Sequence, residues 1–174
     1  MRVPAGAIRD VPIATLPTDI VGIEVVADQP VVAAATSTRS TAKGGISDFA
    51  WSPAVPALRT SAGTTFAPLA LGDASATRTL SLLASGGAAE ADVTLVDKSG
   101  VATSEHLRLA QDSSTTLDVS TIASVWVTPS TGGGQLRAAV VTTVGSGGDA
   151  VITVRPLVGA RFAGRDLPVE QVRQ

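Results

Sequence analysis

The sequence lacks cysteine, tyrosine and asparagine altogether and contains one histidine in 174 residues. Without cysteine the chain can form no disulfide framework, no thiolate metal site and no thiol nucleophile. A single histidine also excludes the usual zinc ligand sets. The 13 basic and 15 acidic side chains give a net charge of -2, whereas nucleic-acid-binding domains are typically strongly basic. We therefore expect no cofactor, no metal and no nucleic-acid partner.

Long apolar runs are also missing. No segment approaches the 18 or more uninterrupted apolar residues of a membrane-spanning helix. The first six residues, MRVPAG, lack the apolar core of a signal peptide. We expect no transmembrane segment in this chain.

Small and β-branched residues dominate what is present, with 28 Ala, 22 Val, 20 Thr and 17 Gly. Val and Thr suit a pleated, half-buried surface, and the apolar residues recur with a period of two or in short runs. Glycine-rich segments such as 132–134 and 145–148 are typical of tight turns. The pattern predicts an all-β protein built as an antiparallel, immunoglobulin-like β-sandwich. Its predicted strands are 66–71, 77–84, 89–96, 101–109, 115–119, 124–128, 135–144 and 150–155.

A faint internal repeat suggests a second, partial unit before this sandwich. Apolar and β-branched residues typical of strands also occur at 20–26, 31–38 and 46–52. The segment 32–38 resembles 136–142, which follows about one sandwich length later. Two Ala- and Val-rich strands can also look alike by chance. The predicted division is a partial unit at 1–58, a linker at 59–65, a complete unit at 66–158 and a tail at 159–174.

The partial unit has no counterpart of the first three strands of the complete one. A sandwich without those strands would expose sheet edges and an apolar face. We therefore expect either that the chain is part of a longer protein or that a partner copy completes the unit.

Two short motifs lie in this first region. The segment ADQPVVAA at 27–34, followed by DFAW at 48–51, resembles an uncharacterised family of actinobacterial exported proteins, known as a domain of unknown function. The resemblance implies an extracellular or cell-envelope protein made of tandem β-sandwich units. It implies no catalytic residues.

His106 is the only imidazole and lies in a predicted strand with Ser104 on the same face. A hydrolase would pair His106 with Ser104 and with a carboxylate such as Asp112 or Asp118. No nucleophile-elbow motif accompanies it, so we interpret His106 as a solvent-facing strand residue and predict that the protein is not an enzyme. A calcium loop made by Asp97 with Asp73 or Asp149 is a weaker alternative to turn-capping by these residues.

Five aromatic residues are the remaining candidates for binding: Phe49, Trp51, Phe66, Trp126 and Phe162. Phe49 and Trp51 share one face of a predicted strand, where they form either a core and junction contact or, with Arg59, a binding surface. Trp126 is expected in the core or at the rim of its own sandwich. Exposed aromatic rings can stack on sugars.

We therefore predict a non-catalytic cell-envelope β-sandwich protein that acts as a structural or protein-interaction module, through a protein partner or self-association. The alternative is a glycan-binding accessory module for cell-wall polymer assembly, with Phe49, Trp51 and Arg59 as binding residues. Runs of Ser and Thr, such as 36–38 and 113–116, give uncharged, hydroxyl-rich strand faces that suit either role better than catalysis.

Overall fold

Ten β-strands make up the regular structure of the residues that the structure describes. The structure, a computed structural model, describes residues 3–13, 22–40, 46–67, 76–130, 133–145 and 151–159, and no α-helix lies in these ranges. The strands are β1 (Ala34–Ser40), β2 (Ile46–Pro53), β3 (Ala62–Thr65), β4 (Ala76–Ser85), β5 (Ala89–Asp97), β6 (Ala102–Leu109), β7 (Ser114–Asp118), β8 (Ile122–Pro129), β9 (Gln135–Val144) and β10 (Val151–Pro156).

Two four-stranded sheets contain the last eight strands. The first sheet has the strand order β10-β9-β4-β7 and the second has the order β3-β8-β5-β6. Every neighbouring pair is antiparallel. The prediction of an all-β, antiparallel sandwich-like protein is therefore confirmed, while its immunoglobulin-like detail stays a prediction.

One hydrophobic core lies between these sheets. In β4 the side chains at alternate positions, from Leu80 through Leu82 to Ala84, are fully buried. Val93 of β5 and Val125 of β8 are buried from the opposite sheet and belong to the same cluster. Because successive residues of a strand point to opposite faces, the alternation in the sequence translates directly into one buried face per sheet.

The turn between β5 and β6 lies where the predicted strand bounds place it. Between β5 and β6 the carboxylate of Asp97 accepts hydrogen bonds from the backbone N–H groups of Ser99 (2.8 Å) and Val101 (2.9 Å). Gly100 has a φ of 88° in this turn, a conformation that is costly for residues with a Cβ. This local chemistry explains why the predicted bounds of β5 and β6 agree with the observed ones to within a residue.

Three predictions around the first region need correction. Residues 22–26 of the predicted strand 20–26 form no strand, because no described segment pairs with them and an unpaired strand leaves its backbone groups unsatisfied. Ala62–Thr65, predicted as part of a linker, forms β3 by pairing with β8. The strand predicted at 66–71 is not formed at Phe66 and Ala67, and residues 68–71 lie outside the described residues.

The first two strands form a separate hairpin. β1 pairs with β2 in antiparallel register, with Thr36 opposite Trp51 and Thr38 opposite Phe49. β2 runs beside β10, the edge strand of the first sheet. Of the predicted tail at 159–174 only Gly159 is described, and it bridges to Ala62 of β3.

Candidate functional site

The predicted aromatic pair lies on the outer face of the hairpin. Phe49 is 59% exposed and Trp51 is 62% exposed, whereas Ala50 between them is buried. The alternation of β2 therefore turns both rings to solvent. Of the two alternatives drawn from the sequence, the structure has the exposed surface and not the inward-facing Phe49.

Two threonine residues complete this surface. Thr36 and Thr38 stand directly opposite Trp51 and Phe49 on β1, and both are exposed. Cross-strand partners have Cβ atoms about 4.5–5.5 Å apart, and same-face neighbours along a strand are about 7 Å apart. We call the four residues Thr36, Thr38, Phe49 and Trp51 the aromatic face. It combines two large rings with two hydroxyl groups and carries no charge.

Arg59, the third predicted site residue, does not join the aromatic face. It lines a cleft of about 260 Å³ at the end of the sandwich together with Glu90 and Ser130, and neither aromatic residue of β2 lines that cleft. The preceding residue is the reason: the Leu58 N–H donates to Leu136 O (2.7 Å), and the Leu58 side chain enters the core. These two contacts of Leu58 hold Arg59 at the sandwich, away from the aromatic face.

His106 lies on the outer face of β6 among charged neighbours. Its Nδ1 is 2.8 Å from Asp92 Oδ1 and its Nε2 is 3.4 Å from Glu90 Oε2. Glu90 also pairs with Arg108, at 3.2 Å between Oε1 and Nε. All four side chains are exposed, so these ion pairs contribute little stability. As expected from the sequence, His106 faces solvent.

The hydrolase arrangement considered for His106 is not formed by the residues named for it. Ser104 Oγ lies 2.9 Å from Thr94 Oγ1. Asp118 accepts hydrogen bonds from Ser120, and Asp112 accepts one from Gln111. The carboxylates that face His106 are instead Asp92 and Glu90, which sequence spacing alone did not single out.

Within the described ranges, no cluster of three His, Asp or Glu residues is suited to hold a metal ion. Asp97 caps its own turn, and the hydrogen bond from the Ser99 hydroxyl, followed by that from Val101 N–H, holds the pKa of Asp97 below its ordinary value. Asp73 and Asp149, the other residues of the calcium alternative, lie outside the described residues.

Trp126 lies half-exposed on the outer face of β8, an inner strand of its sheet, and so it is outside the core. Gly63 is its partner on β3. A Cβ at Gly63 would overlap the indole ring, so the absence of a side chain there lets the ring lie flat over β3. This tryptophan therefore has a packing role and is no part of the aromatic face.

Sequence reasoning missed a second cleft, which lies between the two sheets beside β3 and β10. It has a volume of about 330 Å³, and two of its lining residues are arginines, Arg78 and Arg155. Arg78 is the first buried residue of β4 and lies in line with Leu80 and Leu82. The sequence signal that could have indicated this cleft is a charged residue, Arg78, at a position that alternates with the apolar residues Leu80 and Leu82.

The profile of a family of unknown function matches residues 1–120, which is more than half of the chain. The chain belongs to this family, DUF5719. The match confirms the predicted domain of unknown function, while actinobacterial origin and tandem units stay predictions. The matched range covers the hairpin with its aromatic face and the strands β3 to β7.

Two further comparisons add little to this family assignment. No curated protein matches the sequence significantly. A crystal structure titled Thermotoga maritima 1070 superposes with a TM-score of 0.42 and 7% sequence identity, over 58% of this chain and 94% of that one. A score of this size supports no conclusion about fold or function. Within the described residues, no helix is long and apolar enough to cross a membrane.

Proposed function

We propose that this DUF5719 protein is a non-catalytic β-sandwich module of the cell envelope, with a structural or protein-interaction role, and that its contact surface is the aromatic face. One observation carries the proposal, namely the exposure of 59% of Phe49 and 62% of Trp51 side by side on one strand. Large aromatic residues are enriched at protein interfaces and scarce on surfaces that stay in water.

The surroundings of the aromatic face support an interaction role. Val31 and Val32, just before β1, are also exposed. The four residues of the aromatic face are uncharged, so two copies can approach each other without electrostatic repulsion. A second copy of the chain is therefore the simplest partner, because an isologous contact needs only one such face.

The envelope location rests on the resemblance of the motifs at 27–34 and 48–51 to exported proteins. It is the part of the proposal that fractionation of cells tests directly: a cytosolic protein would contradict it.

Sedimentation velocity over a range of concentrations tests the interaction role. We expect wild type to self-associate and the variant Phe49→Ser/Trp51→Ser to do so at least about tenfold more weakly, because loss of buried aromatic anchors typically costs about 2 kcal/mol or more. Val101 is the matched control, since this apolar residue is 60% exposed in the β5–β6 turn, away from the hairpin. Val101→Ser should associate as wild type does.

Glycan binding is the second candidate, because Thr36 and Thr38 place hydroxyl groups beside the rings. Ring stacking against the apolar face of a sugar combined with hydroxyl hydrogen bonds is the chemistry that sugars require. Isolated cell-wall polysaccharide should then shift the tryptophan fluorescence of wild type, and Trp51→Ala should abolish the shift although Trp126 remains.

The two experiments together decide between the candidates. A monomer at every concentration that responds to polysaccharide through Trp51 would favour glycan binding over self-association. A monomer without any response would overturn both roles for the aromatic face.

A further inference from the structure

The cleft between the two sheets is the strongest unexplained feature of the sandwich. One wall consists of Thr65, Phe66 and Ala67 at the end of β3, and the other of residues from β4, β9 and β10. Its volume of about 330 Å³ lies at the lower end of the range of small-molecule sites. The cleft contains none of the residues of the aromatic face, so it is independent of the function proposed above.

Arg78 is buried in this cleft without an acidic partner among the described residues. It is only 8% exposed. Its Nη2 donates to Ala67 O (2.8 Å), and its guanidinium lies 4.8 Å from the centroid of the Phe66 ring. The ion pairs formed within the described ranges all involve His106 or Arg108 on the opposite sheet's outer face. A buried guanidinium is normally paired with an anion because leaving it unpaired costs free energy.

The other two guanidinium nitrogens of Arg78, Nε and Nη1, have no hydrogen-bond acceptor among the described residues. Among the described residues, no buried side-chain nitrogen or oxygen lacks a hydrogen-bond partner. Arg78 lines the cleft, and among the described residues its side chain has one hydrogen-bond acceptor, Ala67 O, although a guanidinium has five N–H donors. Because none of the other donors is both buried and unpaired, they are accessible to a ligand in the cleft.

Arg155 approaches the same space from β10. The strand order places β9 between β4 and β10, so the backbones of β4 and β10 are about 10 Å apart. Arg78 is paired with Thr142 of β9. Arg155 is paired with Val140, which is the neighbour of Thr142 on the same inward face of β9. Both arginines line the cleft, and their side chains are long enough to approach one group from opposite sides of β9.

The walls specify the chemistry of the ligand further. Two guanidiniums give the cleft a local positive charge, and the planar fork of arginine matches a carboxylate in bidentate fashion. Phe66, Val140 and Val144 supply apolar surface beside these groups. We propose that the cleft binds a small organic carboxylate, with Arg78 and Arg155 holding the carboxylate and with Phe66, Val140 and Val144 contacting the apolar body.

Titration of the full chain with benzoate, followed by the backbone amide NMR shifts, tests this proposal. We expect saturable binding with a dissociation constant of about 1 mM or below, and the largest shifts at β9 and β10. Arg155→Gln should weaken binding at least about tenfold, since it removes one charged hydrogen-bonding group. Arg155 is an exposed residue, so this variant should keep its fold. Arg78→Gln should have a larger effect if it folds.

Arg108→Gln is the matched control because it removes the same charge from the outer face of β6. It should bind benzoate within about twofold of wild type, since surface charges at that distance are screened. Benzamide, which is uncharged, should not bind. The proposal is overturned if benzoate does not saturate, if Arg155→Gln and Arg108→Gln bind equally well, or if benzamide or inorganic phosphate binds as tightly as benzoate.

Discussion

The N-terminal region, residues 3–58, and the sandwich, residues 62–159, contain the same apolar residue types but bury them to different extents. In the sandwich Val93, Val125 and Val127 are fully buried. In the N-terminal region Val26 and Val32 are exposed, the latter completely. Among the residues of this region whose burial is described, only Ala50 and Leu58 are buried. Hydrophobic sequence is therefore common to both regions, but among the described residues the core cluster consists almost entirely of residues of the sandwich.

The two regions differ in burial because only the sandwich has a second sheet that faces the first. A strand face becomes buried only when a facing sheet covers it, and the sandwich supplies two sheets that cover each other. The hairpin β1–β2 is a two-stranded sheet, and residues 22–33 before it form no strand. Burial of a Val or Leu side chain stabilises by about 1.5–3 kcal/mol, so nearly all hydrophobic stabilisation should come from the sandwich. Three predictions test this contrast.

The largest expected effect is on the stability of the core. Leu80→Ala should lower the free energy of unfolding by about 2–5 kcal/mol, because it leaves a cavity at a fully buried position. Ile8→Ala in the N-terminal region should change it by less than about 0.5 kcal/mol, since Ile8 is 95% exposed. Urea denaturation measures both values. Similar losses for the two variants would show that the N-terminal region also has a core.

The second-largest expected effect is a difference in local unfolding between the two regions. Glu24 and Glu105 are both exposed, but Glu24 lies in a non-strand segment and Glu105 in β6, paired with Val93. A glutamyl endopeptidase should cut after Glu24 at least about tenfold faster than after Glu105, because cleavage within a paired strand requires local unfolding. Peptide mass mapping over time measures the two rates. In denaturant the rates should converge, and equal rates in native buffer would contradict the comparison.

The smallest expected effect concerns acid sensitivity. The hydrogen bond from the Ser120 hydroxyl, followed by that from Ser120 N–H, lowers the pKa of Asp118 below its ordinary value of 3.8. A carboxyl group with a lowered folded pKa stabilises the fold above its unfolded pKa, and this stabilisation is lost as the pH falls through the folded pKa. Asp118→Asn should therefore lose less stability than wild type between about pH 5 and pH 2, as measured by the urea midpoint at each pH.

Asp28 provides the control in the N-terminal region. It lies on a bend before Pro30, and among the described residues its carboxylate accepts no hydrogen bond. Asp28→Asn should leave the acid-induced change in the urea midpoint as it is in wild type. A similar change in both variants would mean that the Ser120 hydrogen bonds do not carry the effect.

Much of the sandwich could be predicted from local patterns. The prediction for β9 has the observed bounds, because alternation between two glycine-rich turns is a property of adjacent residues. The exposure of Phe49 and Trp51 together also follows from their spacing, although which face of β2 would be covered does not. Phe66 shows the limit: its N–H still donates to Ala123 O of β8 (2.8 Å), but β3 ends at Thr65, before the predicted strand 66–71 begins.

The order of residues thus determined the fold class, most strand bounds and the turns, since side-chain alternation and turn preferences act over a few residues. Tertiary structure alone decided that residues 22–26 stay unpaired, that Arg59 lies apart from Trp51, and that Arg78 and Arg155 line one cleft. Each of these outcomes depends on which distant strands become neighbours. That choice is made by the packing of whole sheets, where the free energy of burying one shared core outweighs the preference of any single segment.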